Sequence, residues 1–215
     1  MPGKLSSELE KPHFRVAIFG SARIKMGDER YRMVYSLAKK IAGMGMDIVT
    51  GGGPGLMDAA SRGHHAGRKN NHAHSIGLTI RLPTEQRDSF HLDVKKDFSR
   101  FSERLDNFMA LSSVVVVTPG GIGTLLEIFY TWQLVQVKHI CNTPIILLGK
   151  LWRDFLTWIK KWPLKKGFIN SEDLSFIFFA ENINQAMSII DKAHMTFLKR
   201  GRKTCLNVKK YGIVT

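Results

Sequence analysis

The chain has 215 residues, is 44% hydrophobic and 23% charged, and carries a formal net charge of +14. These proportions are typical of a globular domain with a buried core, and they exclude a disordered, collagen-like or coiled-coil chain. Two cysteines are too few for a disulfide scaffold, and the longest apolar runs are too short to cross a bilayer, so we expect a cytoplasmic protein that does not enter a membrane.

Short apolar runs alternate along the chain with segments of helical periodicity. The runs predict strands over residues 15–19, 47–50, 75–82, 114–118, 144–148 and 176–179, and the periodic segments predict helices over 31–44, 56–66, 101–112, 124–136, 152–162 and 183–198. Strands that are apolar throughout and separated by helices indicate a parallel sheet covered on both faces. We therefore predict a single doubly wound, mostly parallel, Rossmann-like α/β domain.

The predicted domain occupies residues 14–198. A mobile N-terminal segment, 1–13, precedes it and lacks the apolar stretch of a secretory signal, and a basic extension, 199–215, follows it. Residues 84–97 are the least patterned part of the domain, and we expect a loop over the site there. The positive charge of the extension would suit a nucleic-acid surface, but such surfaces usually also carry aromatic residues for base stacking. The extension offers only Tyr211, so we interpret it as a solvated basic tail.

Two glycine-rich segments, 51–55 and 119–123, each follow a predicted strand and precede a predicted helix. Glycine lets a ligand approach the backbone closely, and the helix N-terminus beyond it offers unpaired N–H groups, so the pair predicts a phosphate site. Neither segment has the spacing G-x-G-x-x-G, and the sequence contains no G-x-x-x-x-G-K-[ST]. A dinucleotide dehydrogenase and a P-loop protein are therefore disfavoured.

Two charged residues lie near these segments. Thr124 and Glu127 have the spacing of a capping box, and spacing alone favours that interpretation. The alternative is that Glu127 places a carboxylate beside the phosphate crevice. Arg104 lies on the flank of an apolar helical stripe and needs a partner, which would be a nearby carboxylate, a substrate phosphate or Glu127. The four histidines at 64, 65, 72 and 74 match no strong metal signature, so we expect surface histidines and no metal.

The segments 51–60 (GGGPGLMDAA) and 119–127 (PGGIGTLLE) together resemble the LONELY GUY family, long labelled "possible lysine decarboxylase". The resemblance extends to 19–23 (FGSAR), 75–78 (SIGL) and 82–86 (LPTEQ), which are similar to the longer bacterial branch of that family. It covers the chain from about residue 16 to residue 152.

The resemblance implies a Rossmann-like phosphoribohydrolase. Such an enzyme cleaves the N-glycosidic bond of a nucleoside 5′-monophosphate, either AMP or a cytokinin-type adenine nucleotide, into free base and ribose 5-phosphate. It also implies a homodimer that needs neither a metal nor a cofactor. The catalytic positions of the family fall on Arg104 and Glu127. Phosphate and ribose contacts fall on Ser21, Gly52, Gly53, Gly121, Gly123 and Thr124, and contact with the base falls on Met57.

The sequence departs from the family pattern at two positions beside the catalytic ones. Leu105 stands where lysine is common, and Leu126 stands where an acidic residue is common. Two other functions remain as alternatives: a non-catalytic carrier of a nucleotide or of a molybdenum cofactor, and a nucleic-acid-binding Rossmann protein suggested by the charge. Because both Arg104 and Glu127 are present, the sequence favours the enzyme.

Overall fold

One seven-stranded sheet forms the centre of the fold in the computed structural model, which describes residues 13–68, 72–81 and 89–200. In chain order the strands are β1 (Arg15–Phe19), β2 (Asp47–Thr50), β3 (Ser75–Ile80), β4 (Val94–Phe98), β5 (Val114–Val117), β6 (Ile145–Leu148) and β7 (Ile177–Ala180). Their spatial order is β4-β3-β2-β1-β5-β6-β7, and all neighbours are parallel. The order reverses between β1 and β5, where open α/β sheets bind ligands at the carboxyl ends of their strands.

Helices connect these strands and cover both faces of the sheet. The α-helices of the described residues are α1 (Glu29–Gly43), α2 (Leu56–Gly67), α3 (Phe101–Leu111), α4 (Ile122–Gln136), α5 (Leu151–Ile159) and α6 (Ile183–Arg200). A π-helical turn, Lys160–Leu164, continues α5, and a 3₁₀ turn, Ser171–Leu174, precedes β7. Helices α1, α2 and α6 pack on one face, and α3, α4 and α5 pack on the other.

The apolar strands explain this two-sided burial. β5 consists of four buried valines, of which Val114 and Val116 contribute to the core under α1, α2 and α6, while Val115 and Val117 contribute to the core under α3, α4 and α5. Successive side chains of a strand point to opposite faces, so a strand that is apolar at every position needs a cover on each side. The prediction of a single doubly wound parallel α/β domain is confirmed.

Strand β4 was not predicted from the sequence. It lies in the segment expected to be a loop, yet Val94 pairs with Ile76 and Phe98 pairs with Ile80 in a parallel ladder. Three charged residues at 95–97 interrupt the apolar pattern, as is common on edge strands, where charge discourages further pairing. Residues 84–88 of the same segment lie outside the described residues.

The two terminal segments fall almost wholly outside the described residues, which begin at residue 13 and end at residue 200. Helix α6 continues to Arg200, two residues past the predicted end of the domain at 198. None of the helices in the described part of the chain has both the length and the apolar character that a membrane crossing requires.

Candidate functional site

The loops after β1, β2 and β5 meet at Ser21. Its amide donates to the carbonyl oxygen of Pro119 at 3.1 Å, and its own carbonyl oxygen accepts from the amide of Leu56, the first residue of α2, at 2.9 Å. The Thr118 hydroxyl donates to the Phe19 carbonyl oxygen at 2.7 Å and ties the ends of β1 and β5 together. The fold therefore brings both glycine-rich segments to one crevice at the switch point of the sheet.

The first glycine-rich segment touches Arg104. A Cβ atom placed on Gly51 would lie 2.5 Å from Nη2 of Arg104 and 2.5 Å from Sδ of Met57, so only glycine allows these two side chains to approach the backbone so closely. Gly52 and Gly53 are buried, and the Gly52 amide donates to the Thr50 hydroxyl at 3.1 Å. Gly51 is a site residue that the sequence did not single out, and three consecutive glycines were its only signal.

The second segment leads directly into α4. Gly121 is the N-cap residue, and no side chain caps the helix, so the first-turn N–H groups of α4 lack an acceptor from within the helix. Gly121 and Gly123 are exposed, and a Cβ atom at either position would meet nothing within 4 Å. Packing in the protein therefore does not require glycine at these positions, whereas close approach of a ligand would.

The capping-box interpretation of Thr124 and Glu127 is wrong. Helix α4 begins at Ile122, before Thr124, so Thr124 already lies inside the first turn and its buried side chain packs against Gly120. Glu127 lies in the following turn and directs its carboxylate toward α3 rather than toward the N-cap. The glutamate is therefore free for the role that the family resemblance gives it.

Arg104 on α3 and Glu127 on α4 form a buried ion pair. Nη1 of Arg104 lies 3.4 Å from Oε1 of Glu127, and the two residues are only 7% and 9% exposed. Nε of Arg104 donates to the carbonyl oxygen of Leu78 at 2.6 Å, and the guanidinium lies 5.0 Å from the centroid of the Phe108 ring. A carbonyl oxygen within β3, that of Leu78, thus orients Arg104, a contact for which the sequence carries no signal.

Burial dominates the electrostatics of this pair. It raises the pKa of the Glu127 carboxyl to about 7, and the Arg104 guanidinium opposes that rise only in part. Burial also lowers the pKa of Arg104 from its ordinary value, against the opposing effect of Glu127. A carboxyl with a pKa near neutrality can exchange a proton at ordinary pH, which is the property of a general base or acid.

Other predicted features lie away from this pair. His64 is fully buried, and its Nε2 lies 3.0 Å from the Met46 carbonyl oxygen, so the interpretation as a surface histidine is wrong for this residue. Among the described residues, no three His, Cys, Asp or Glu side chains are grouped closely enough to hold a metal ion. Of the two departures from the family pattern, Leu105 is buried in the core and Leu126 is 44% exposed.

The comparisons with known proteins agree with the fold. A family model described as "possible lysine decarboxylase" matches residues 57–190. No curated protein sequence matches the chain. The Moco carrier protein from Chlamydomonas reinhardtii is similar in structure, with 21% identity, a TM-score of 0.62, and coverage of 86% of this chain and 99% of that one.

Two further solved structures are also similar. The molybdenum cofactor binding protein from the phototrophic bacterium Rippkaea orientalis has 21% identity and a TM-score of 0.60, over 85% of this chain and 97% of that one. DNA processing protein A from Helicobacter pylori has 19% identity and a TM-score of 0.54, over 91% of this chain and 84% of that one. At these identities the likeness shows a shared fold.

The family match is the more specific finding, because it covers well over half of the chain and includes both Arg104 on α3 and Glu127 on α4. The chain belongs to the LONELY GUY-like family whose model carries the description "possible lysine decarboxylase".

Proposed function

We propose that the protein hydrolyses the N-glycosidic bond of nucleoside 5′-monophosphates, AMP or cytokinin-type adenine nucleotides, and releases the free base and ribose 5-phosphate. The observation that carries this proposal is the buried contact between Arg104 and Glu127 beside the uncapped N-terminus of α4. Membership of the LONELY GUY-like family supports a phosphoribohydrolase-type reaction.

The 5′-phosphate anchors the substrate. It accepts hydrogen bonds from the amides of Gly121, Gly123 and Thr124 at the N-terminus of α4, where the helix dipole also favours an anion. Ser21, at the junction of the loops, and the buried Gly52 and Gly53 complete the phosphate and ribose contacts, and Met57 contacts the base. Holding the phosphate away from the cleaved bond orients the anomeric carbon toward Glu127.

Glu127 acts on the anomeric carbon. The transition state of N-glycoside hydrolysis has oxocarbenium character, which a carboxylate stabilises. Glu127 accepts a proton from the water whose oxygen bonds to the anomeric carbon, while the electrons of the N-glycosidic bond leave with the base, which then takes up a proton. Arg104 keeps the carboxylate oriented and contributes positive charge toward the phosphate or ribose.

The test compares AMP with adenosine. The purified protein should release adenine from AMP, with ribose 5-phosphate in equal amount, and should leave adenosine uncleaved, because adenosine lacks the group that α4 binds. Equal rates on both would contradict the phosphate-anchor mechanism. A panel of purine and pyrimidine monophosphates under the same conditions identifies the preferred base.

The second candidate function is a carrier that binds a phosphorylated ligand without cleaving it. Two of the similar structures are titled as proteins that carry or bind the molybdenum cofactor, which favours this candidate. The crevice and the α4 amides would serve both functions, so turnover separates them. Tight binding of AMP by a stably folded protein that releases no adenine would favour the carrier.

Nucleic-acid binding is a third candidate. The net charge of +14 and the likeness to a protein titled for its single-stranded DNA binding mode favour it. Binding that depends on phosphate contacts weakens steeply with salt. Oligonucleotide affinity that falls steeply between low and physiological salt, without AMP turnover, would support this candidate over the enzyme.

The proposed enzyme is a homodimer. Ile122, Leu126 and Phe129 form an apolar stripe along α4 at i, i+4 and i+7, and they are 83%, 44% and 44% exposed. A second copy packed on this stripe would help to close the crevice beside Gly121. Light scattering should give the mass of a dimer, and Phe129→Lys should give a monomer of lower activity; a fully active wild-type monomer would contradict the proposal.

A further inference from the structure

A separate cavity of about 630 Å³ lies on the other side of the first glycine-rich segment. Pro54 and Gly55 line it, together with the loop at 22–26 and side chains from the starts of α1 and α2, whereas Gly51 of the same segment faces Arg104. None of the residues expected to hold the substrate of the proposed function lines this cavity. Its volume is in the range of sites that take a small-molecule ligand.

Three cations surround the cavity: Arg23, Lys25 and Arg62. Arg23 and Lys25 are exposed, and neither forms a salt bridge with a carboxylate among the described residues. Nη1 of Arg62 approaches Oδ2 of Asp58 only to 4.0 Å. The lining therefore has an excess of positive charge, which favours an anionic ligand.

The single lining carboxylate is held in a fixed orientation. The Tyr31 hydroxyl donates to Oδ2 of Asp58 at 2.7 Å, and the Ser89 hydroxyl donates to Oδ1 at 3.0 Å. Burial and the bond to Asp58 raise the pKa of Tyr31 to about 12, so that its hydroxyl remains a donor. A carboxylate has about four acceptor positions, so Asp58 keeps capacity for an N–H donor from a ligand.

The rim of the cavity is apolar. Met26 is 64% exposed and Phe90 is 94% exposed, on the loop after β1 and on the segment before β4. A thioether and an aromatic ring give a flat heterocycle surfaces for stacking and dispersion contacts. Cations, one oriented acceptor and an apolar rim together match a ligand that combines several phosphate charges with a ring that carries N–H groups.

We propose that this cavity is a second ligand site, which binds a nucleoside polyphosphate. Its phosphates contact Arg23, Lys25 and Arg62, an N–H group of its base donates to Asp58, and the base packs against the apolar rim. This site is independent of the proposed hydrolysis, because Arg104 and Glu127 lie on the far side of the glycine-rich segment.

The experiment measures ATP affinity by calorimetry at physiological salt in four proteins: the wild type, Arg23→Gln/Lys25→Gln, Lys39→Gln/Lys40→Gln and Arg104→Ala. Lys39→Gln/Lys40→Gln removes the same charge from exposed positions near the C-terminal end of α1, away from the cavity at its N-terminal end. Loss of charge-assisted contacts should weaken ATP binding at least about tenfold in Arg23→Gln/Lys25→Gln. The Lys39→Gln/Lys40→Gln control should change it less than about threefold.

Arg104→Ala separates the two sites. It should weaken AMP binding and leave ATP affinity within about threefold of the wild type, so a wild type that fails to hydrolyse AMP does not affect this result. Parallel loss of ATP and AMP affinity in Arg104→Ala would overturn the second site, as would equal ATP affinity in the two double variants.

Inorganic tripolyphosphate tests the nucleoside part of the assignment. It can use the cations but neither Asp58 nor the apolar rim, so the wild type should bind it at least about tenfold more weakly than ATP. Equal affinity for tripolyphosphate and ATP would overturn the assignment of a nucleoside ligand.

Discussion

A buried arginine–carboxylate pair lies at each end of the strands, one at their amino ends (called the amino edge below) and one at their carboxyl ends (the carboxyl edge). The two pairs differ in the elements that supply their residues. At the amino edge, Arg15 of β1 and Asp47 of β2 are direct neighbours in the strand register and are completely buried. At the carboxyl edge, Arg104 and Glu127 come from two helices and meet beside an open crevice. Nε of Arg15 lies 3.4 Å from Oδ2 of Asp47, and Nη1 of Arg104 lies 3.4 Å from Oε1 of Glu127.

The two carboxylates differ in how far the protein compensates their charge. Asp47 accepts the amide of His74 at 2.8 Å and faces His13 as well as Arg15, so several groups of the protein compensate its charge. The Glu127 carboxylate has one hydrogen-bond partner among the described residues, Arg104, and its pKa is raised to about 7. A buried carboxylate that the protein compensates only in part is a candidate for a functional group, which is consistent with the role proposed for Glu127.

The largest effect is expected on stability at the amino edge. Asp47→Asn removes a buried carboxylate that faces Arg15 and His13 and accepts the amide of His74, which should lower the free energy of unfolding by about 3 kcal/mol or more. Adenine release per folded molecule should not change. Denaturant unfolding checks this, with Glu181→Gln as the control, since Glu181 pairs with Arg153 at the surface and should matter by less than about 1 kcal/mol. An equal effect of both substitutions would contradict the comparison.

Whereas Asp47→Asn should mainly reduce stability, Glu127→Gln should mainly reduce turnover. It removes the charge and keeps the shape, so AMP turnover should fall at least about a hundredfold, the scale of one acid–base or electrostatic contribution. Because burial raises the pKa of Glu127 to about 7, its ionised form costs stability at pH 8, so the free energy of unfolding should fall less in Glu127→Gln than in Asp47→Asn. AMP binding should persist. Near-normal turnover in this variant would move the protein toward the carrier function.

The raised pKa of Glu127 also predicts how kcat/KM and stability depend on pH. If Glu127 is the base of the proposed reaction, its ionised form is the active one, so kcat/KM should rise about tenfold per pH unit below pH 7 and level off above it. The raised pKa also means that the stability contribution of Glu127 is lost as the pH rises through about 7. Since the substrate phosphate ionises near pH 6, the residual activity of Glu127→Gln serves as the reference. A wild-type profile that parallels this reference would contradict the assignment.

The sequence predicted most of the fold because the strands are short and wholly apolar. Periodicity placed β1 and β2 at their observed bounds and placed five further elements to within one residue at each end. It failed at β4, where Lys95, Lys96 and Asp97 interrupt the apolar pattern on an edge strand. An edge strand needs a partner on one side only, so its sequence carries less information about pairing.

The candidate site was less predictable because its contacts are tertiary. Family resemblance supplied Arg104 and Glu127, but the spacing of Thr124 and Glu127 favoured a cap until the helix start at Ile122 excluded it. Neither the close approach of Arg104 to Gly51 nor its bond to the Leu78 carbonyl oxygen leaves a local pattern in the sequence. Such contacts depend on how α3 is placed against β3, which no short window of sequence encodes.

The smallest effect is expected at Gly123, where the protein itself leaves room for a side chain. Alanine there meets no neighbour within 4 Å and is a better helix former than glycine, so Gly123→Ala should leave the free energy of unfolding unchanged or raise it by up to about 1 kcal/mol. If the α4 amides hold the phosphate, the added methyl group should crowd it and raise KM for AMP up to about tenfold, with kcat changed less. Gly120→Ala is the matched control, because its Cβ atom would lie 2.0 Å from the Thr124 hydroxyl and should lower stability instead. Steady-state kinetics and thermal unfolding of both variants check this, and an unchanged KM in a stable Gly123→Ala would place the phosphate elsewhere.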